Sequence, residues 1–585
     1  MSAMPIMASS AKIDEAVRAH IQGRIQQAEE LYKSVLNAVP NHPQASQFLG
    51  VLVFQNGRKE EGIRWMEQGV RSNPGDPEAW SNLGNAYRVV GRGKEAIEAI
   101  QRALSIAPTF APAYCTLSAC LREVGTLGQA IDAARNAIRL QPNLAQAHNN
   151  LGLALLEAGE SNAAIAALQQ ALYVSPQFLE AHQGLLFAMH YSDKHSAHSI
   201  MKQAQVFAST QPRDVWPVEG DLKTIGFLSG DFRNHPVAFF LEPMLRKIDK
   251  SKFKVVLLSN TCMTDEVTER LKLVADEFID VTEMAPLQLQ KACRALVIDM
   301  VIDLAGHTAS NRIDALAQRI APVQVSWLGY SGTTGLPSMD WILVDSEIAP
   351  PGTLGFTEWV SHLPDSVFCF DPGNLKGTVQ PPPCFASNQV TFGSFNNLSK
   401  ISPSCVALWS QVLLEVSDSR LILKSRHLEE RGVADRLIGQ FQSHGVSADR
   451  IITRGWTLSQ CPIDDYNEVD VALDTFPYSG ATTTIEALGM GVPVVTLVGD
   501  TYASRMSRSI LSAVGREEWI TDTPEKYVST AIELANCPSR LEYVRRSLRN
   551  EVFESPLCDP GQFAKNFESN LESIWNQTKK NRNVL

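Results

Sequence analysis

The sequence predicts an α-helical repeat superhelix followed by an α/β region built of two Rossmann-like halves. Three observations carry that prediction. Glycine and proline recur at intervals of 34 residues through the first third of the chain, a period that belongs to stacked two-helix repeats. From Leu222 onward, short β-branched apolar runs alternate with helix-like stretches, as buried parallel strands and their crossovers do. Within that region Val469 to Leu497 reads as strand, tight turn, short helix and strand, the arrangement at which open α/β sheets bind anions.

Bulk composition bounds the function. At 585 residues the chain exceeds a single core, and about three or four domains are expected. A formal net charge of −11 argues against a nucleic-acid partner, whose footprint is basic. The N-terminus carries no basic start followed by an apolar core, and no apolar run reaches the length of a membrane span, so a cytoplasmic location without a membrane partner is expected. Ten cysteines without a C-x-x-C pair read as free thiols in a reducing compartment, and no metal-ligand spacing is present.

The repeats are regular. Gly23, Gly57, Gly91, Gly125 and Gly159 share one register, and Pro40, Pro74, Pro108, Pro142 and Pro176 another. Leu49-Gly50, Leu83-Gly84 and Leu151-Gly152 keep the phase, as do Ala28, Ala96, Ala130 and Ala164. With WSNLGNAY from Trp80 to Tyr87, this is the tetratricopeptide pattern. The array is expected over 1–190, as five repeats and a further helix from Ala181 to Met189. Each repeat needs its neighbours to bury its apolar face, so stacking generates a concave groove. The groove is read as a protein- or peptide-binding surface; a scaffold or homodimer surface is the alternative. Asn82 and Asn150 share a repeat position suited to an extended peptide backbone, although Phe48 and Thr116 occupy it elsewhere.

A linker is expected over 191–220, then Rossmann-like halves over 221–384 and 385–558 and a helix over 559–585. In the first half, strands are expected at 223–229, 253–258, 296–304 and 323–328, running into loops with His235, His307 and Thr333-Thr334. Those positions lie at the carboxyl ends of strands, where open sheets bind ligands. Pro372-Gly373 and Pro381-Pro382-Pro383 mark an interdomain connection. In the second half a strand at 390–395 leads to Asn396-Asn397-Leu398-Ser399-Lys400.

Val469 to Leu473 then form a strand, and Pro477 to Gly480 a turn. Thr482, Thr483 and Thr484 offer hydroxyls at the start of a helix to Met490, closed by Gly491 and Pro493. The helix start suits a phosphate. Thr483-x-x-Glu486 also fits a capping box, which would leave Glu486 merely structural.

With the array, the segments SGDFRNHP, DLAGHT, APVQVSWLGYSGTTGLPSMD, TFGSFNNLSKISP, ALDTFPYSGATTTIEALGMGVPVVT and GDTYASR resemble the O-linked N-acetylglucosamine transferase and SPINDLY group of glycosyltransferases, in its bacterial branch. The resemblance spans nearly the whole chain. It implies a GT-B fold, an acceptor-side first half, a donor-side second half, and an inverting transfer of N-acetylglucosamine from UDP-GlcNAc to Ser or Thr of protein acceptors, with no cofactor and no metal. The sequence contains no Asp-x-Asp, a pair that often holds a metal on a diphosphate.

By resemblance, Lys400 is the donor-phosphate lysine, Asn397 a nucleotide contact, Thr482 and Thr483 the phosphate-binding hydroxyls, and Glu486 the ribose carboxylate. His235 takes acceptor positioning or base duty, with Asp231, Asp303 and His307 as further candidates in the same mouth. The animal enzymes' histidine–arginine cluster is replaced by Cys461-Pro462-Ile463-Asp464-Asp465. FPYSGATTT leans toward the SPINDLY side, which implies GDP-fucose as an alternative donor. Transfer to asparagine and a non-catalytic repeat scaffold are the remaining alternatives.

Overall fold

The computed structural model describes residues 4–212, 214–261, 263–456 and 461–582. The chain divides into two compact units, Met1–Leu155 with Ala166–Phe178, and Leu156–Ile165 with Leu179–Leu585.

The first unit is helical, and its helices pair as the period predicts: Met4–Ile21 with Ile25–Ala38, Pro43–Gln55 with Lys59–Ser72, Pro77–Val89 with Gly93–Ile106, and Ala111–Val124 with Leu127–Leu140. The periodic glycines close the first helix of each pair with positive φ, from 71° at Gly23 to 91° at Gly125, a conformation that a Cβ penalises. The Leu-Gly positions serve packing instead. A Cβ on Gly84 would meet Ile100 Cδ1 at 2.5 Å, so glycine there lets paired helices touch. Asn150 does not stand free for a ligand: its Nδ2 donates to the Cys115 carbonyl at 2.9 Å, which ties one repeat to the preceding one.

In the second unit the helix Leu179–Met189 is present. The stretch 191–220, expected as a linker, holds a helix, Ala197–Ala208, whose Ile200, Ala204 and Phe207 are buried. Their spacing of four and three is one helical stripe, outweighed in the sequence by the polar residues around it.

Two parallel sheets follow. The first comprises β1 (Thr224–Ser229), β2 (Lys254–Ser259), β3 (Glu277–Asp280), β4 (Met300–Asp303), β5 (Val323–Ser326), β6 (Trp341–Val344) and β7 (Trp359–His362). Its order is β3-β2-β1-β4-β5-β6-β7. The second comprises β8 (Val390–Ser394), β9 (Ser419–Lys424), β10 (Ile451–Arg454), β11 (Val471–Leu473), β12 (Val494–Leu497) and β13 (Ile520–Thr521), in the order β10-β9-β8-β11-β12-β13. Both are doubly wound, and order reverses beside β1 and beside β8, which places ligand crevices beyond Ser229 and Ser394. Every residue of β1 is buried, as a strand covered on both faces requires.

The helix Pro560–Arg582 returns to the first sheet. Phe567 lies 4.8 Å from the Trp327 ring, and Trp341 Nε1 donates to Thr578 Oγ1 at 2.8 Å. Among the described residues no helix is long and apolar enough to cross a membrane.

Candidate active site

The carboxyl ends of the two sheets face a cleft of about 550 Å³. His235, Asn397, Lys400, Thr482 and Thr483 all line it, so the loops after β1, β8 and β11 converge as the strand-end rule predicts.

Lys400 closes a short 3₁₀ turn, Leu398–Lys400, directly after β8. Its Nζ donates to the Ser479 carbonyl at 2.8 Å, which leaves two of the three ammonium donors unengaged. Burial pushes its pKa down to about 8, with Asp474 pulling the other way. The group is therefore a poorly solvated cation at neutral pH, poised to gain from an anion.

Asp474 organises the turn after β11. One oxygen accepts from the backbone N–H groups of Thr475 at 2.9 Å and Gly480 at 2.8 Å, and from Asn396 Nδ2 at 3.4 Å. The other accepts from Thr496 Oγ1 at 2.7 Å. Because Asp474 takes the Asn396 amide nitrogen, the Asn396 oxygen faces Thr483, whose hydroxyl donates to it at 3.0 Å. Thr483 therefore has no hydroxyl proton left for a phosphate.

The helix Thr482–Gly489 begins after Ala481, and no side chain caps it. The capping box open to Thr483 and Glu486 is not formed. Instead Thr482 and Thr483 of the first turn line the cleft, an anion-binding helix start, while the Thr484 N–H donates to the Ala481 carbonyl at 3.1 Å. Glu486 is half-buried and does not line the cleft. Burial pushes its carboxyl up to about 7, against the attraction of Lys424.

On the opposite wall His235 caps the helix Pro236–Leu245, its Nδ1 accepting from Val237 N–H at 3.3 Å. Asp231 Oδ2 lies 3.6 Å from the same nitrogen. Burial lowers the His235 pKa, Asp231 raises it and Arg233 lowers it. With Nδ1 accepting, the neutral ring carries its proton on Nε2. Asp231 is itself buried and pairs with Arg233 at 3.1 Å, one layer behind His235.

The other strand-end candidates face inward and do not line the cleft. His307 is buried, Nε2 donating to the Thr334 carbonyl at 2.7 Å, and burial pushes its pKa down to about 4. Asp303 accepts from the N–H groups of Ala305 and Gly306. Thr333 Oγ1 and Thr334 N–H both donate to buried Glu358. The Asp303, Thr333 and Thr334 groups are satisfied by the protein, His307 is bonded through Nε2 alone while its buried Nδ1 has no partner among the described residues, and together they support the loop after β5.

Sequence reasoning missed Asn396, Tyr478, Ser331 and Trp456. A charged residue ending a buried strand, Asp474, was the available signal for the first; exposed Trp456 at the cleft carried none. Asp465 in the departing segment pairs with Lys424 at 2.6 Å.

Two doubly wound sheets with their switch points on one cleft, a lysine and a helix start on one wall and a histidine on the other, define the GT-B class. The chain belongs to glycosyl transferase family 41, whose model matches residues 187–379 and 383–567. Tetratricopeptide models match 19–86, 77–110 and 121–177.

Over 360 residues the chain is 37% identical to a probable UDP-N-acetylglucosamine–peptide N-acetylglucosaminyltransferase SPINDLY of Petunia hybrida, covering 60% of this chain and 38% of that one. It is 28% identical over 372 residues to the SEC protein of Arabidopsis thaliana, which carries the same enzyme name; the match covers 61% of this chain and 38% of that one. The chain thus spans about two fifths of the curated relatives it matches. The solved structure of a mutant O-GlcNAc transferase from Thermobaculum terrenum superposes with a TM-score of 0.80 at 32% identity, covering 86% of this chain and 98% of that one.

Proposed function

We propose that the chain is an inverting, metal-independent protein O-glycosyltransferase. It transfers N-acetylglucosamine from UDP-GlcNAc to Ser or Thr of protein acceptors presented by the repeat groove. The observation that carries this reading is the under-solvated Lys400 ammonium beside an uncapped helix start in one cleft. A departing diphosphate develops negative charge, and preorganised cations and N–H groups lower the barrier for it.

The acceptor oxygen bonds the anomeric carbon as that carbon's bond to the diphosphate oxygen breaks, and the acceptor's hydroxyl proton passes to the departing diphosphate, directly or through water. The electron pair leaves with the diphosphate, onto Lys400, Thr482 and the first-turn N–H groups. Asn397 contacts the nucleotide, while Glu486, the ribose carboxylate by resemblance, stands outside the cleft lining. Neutral His235 offers Nε2–H to an oxygen of the acceptor or sugar, which favours positioning over base duty. As a base it would have to move its proton to Nδ1, toward Asp231. His307 supports the adjoining loop.

GDP-fucose is the second donor reading, favoured by FPYSGATTT. Incubation with labelled UDP-GlcNAc and GDP-fucose, followed by mass mapping of the acceptor, tests donor and linkage together. UDP is expected to protect against thermal unfolding; protection by GDP but not UDP overturns the uridine assignment, and an asparagine adduct overturns the O-linkage.

A further inference from the structure

The Lys400 ammonium lies 4.4 Å from the centroid of the Tyr478 ring. That ring is held from two further directions. It stacks on Tyr191 at 4.6 Å with an interplanar angle of 23°, and its hydroxyl shares a hydrogen bond with Ser331 Oγ at 3.2 Å. Tyr478 is 8% exposed, so the ring has no freedom to leave the ammonium.

We infer that Tyr478 is the positioning residue for Lys400: its ring face keeps the ammonium charged and aimed into the cleft, and Ser331 sets the ring. The physical need is plain. Burial disfavours the Lys400 cation, and the one carbonyl it bonds offsets only part of that cost. An aromatic face adds cation stabilisation without taking a hydrogen-bond donor from the ammonium, and the effect grows where water is excluded. The N–H groups not given to Ser479 then remain for a ligand. Ser331 belongs to the loop after β5 and Tyr478 to the turn after β11, so the donor lysine is oriented by both halves at once.

The catalytic meaning rests on the transferase reading, but the decisive measurement does not. Competitive amine labelling of the intact protein, read residue by residue by mass spectrometry across pH, reports the titration midpoint of Lys400 whether or not a substrate is known. Tyr478→Leu is expected to lower that midpoint by about half a unit to one unit, while Tyr478→Phe, which keeps the ring face and its stack on Tyr191 but loses the Ser331 hydrogen bond, lowers it by distinctly less. Phenylalanines of increasing fluorination at 478 keep the shape and weaken the ring face; they carry the test should the leucine variant not fold, and the midpoint should fall stepwise along the series. A midpoint unmoved by leucine or by fluorination, or one that rises, overturns the inference.

In transfer assays Tyr478→Leu should lower kcat more than it raises KM for the donor, because the charge being met develops in the transition state, and Tyr478→Phe should recover most of the loss. Shifted midpoints with no transfer activity in any variant would sink the transferase reading and leave the positioning role standing.

Discussion

Lys400 Nζ donates to the Ser479 carbonyl at 2.8 Å, so the turn after β8 and the turn after β11 share one poorly solvated cation. Replacing it has opposite effects on function and stability. Lys400→Met removes the leaving-group cation and should lower kcat by about 10²–10³-fold. The folded pKa, about 8, lies below the ordinary lysine value of 10.5. The unfolded chain therefore binds more protons between those values, and wild-type stability rises with pH through that window. The methionine variant should be more stable at pH 7 by on the order of 1 kcal/mol, a gain that vanishes above about pH 10. Denaturant titrations at the two pH values check this, and a variant less stable at pH 7 contradicts it.

Thr482 and Thr483 stand side by side at the helix start but should not behave alike. The Thr483 hydroxyl donates to Asn396, so Thr483→Val strands a buried amide oxygen and should cost about 1–2 kcal/mol of stability. Thr482→Val should leave stability unchanged and lower kcat about tenfold, since its hydroxyl is the one available to the diphosphate. Equal effects of the two substitutions on both quantities would contradict this division.

Glu486 is held near pKa 7 by burial, against an ordinary carboxyl value of 4.5. A carboxyl raised in this way lowers stability as pH climbs from 4.5 toward 7. Glu486→Gln should therefore stabilise the fold at pH 8 and not at pH 4, by on the order of 1 kcal/mol. If the carboxylate receives a ribose hydroxyl, the same change weakens nucleotide binding about tenfold at pH 8. Calorimetry with the nucleotide decides it, and unchanged affinity removes Glu486 from the ribose.

Two buried histidines should govern the acid limb of stability in the second unit. His190 is pushed down to about 3 and His307 to about 4, both by burial. Their unfolded forms protonate near 6.5, so stability is complete above that pH and is lost as pH falls toward 4 and 3. At full development these shifts are worth about 5 kcal/mol for His190 and about 3 kcal/mol for His307. His307→Gln keeps a donor for the Thr334 carbonyl and removes the titration, and should shift the acid unfolding midpoint to lower pH. An unmoved midpoint rules His307 out as a determinant.

Much of the site was legible because strand ends are legible. His235, Lys400, Thr482 and Thr483 reach one cleft because each follows a parallel strand at or beside a switch point. The same rule selected His307, Asp303, Thr333 and Thr334, which turn inward, because loop dihedrals decide whether a side chain faces ligand or core. The helix Ala197–Ala208 was hidden for a related reason: three apolar residues make a stripe only once something covers them.

The sequence by itself determined the repeat array, the two parallel sheets and the family. A 34-residue glycine phase and unbroken apolar strands are local backbone and burial requirements, written where they act. Only the tertiary structure decided that Asp474 orients Asn396 and thereby Thr483, that His235 uses Nδ1 as a helix cap, and that Tyr478 faces Lys400 across 78 residues of chain, beside the Ser479 carbonyl that Lys400 also bonds. Those relations join segments far apart in the chain, and a hydrogen bond's direction depends on every partner around it, which no single segment specifies.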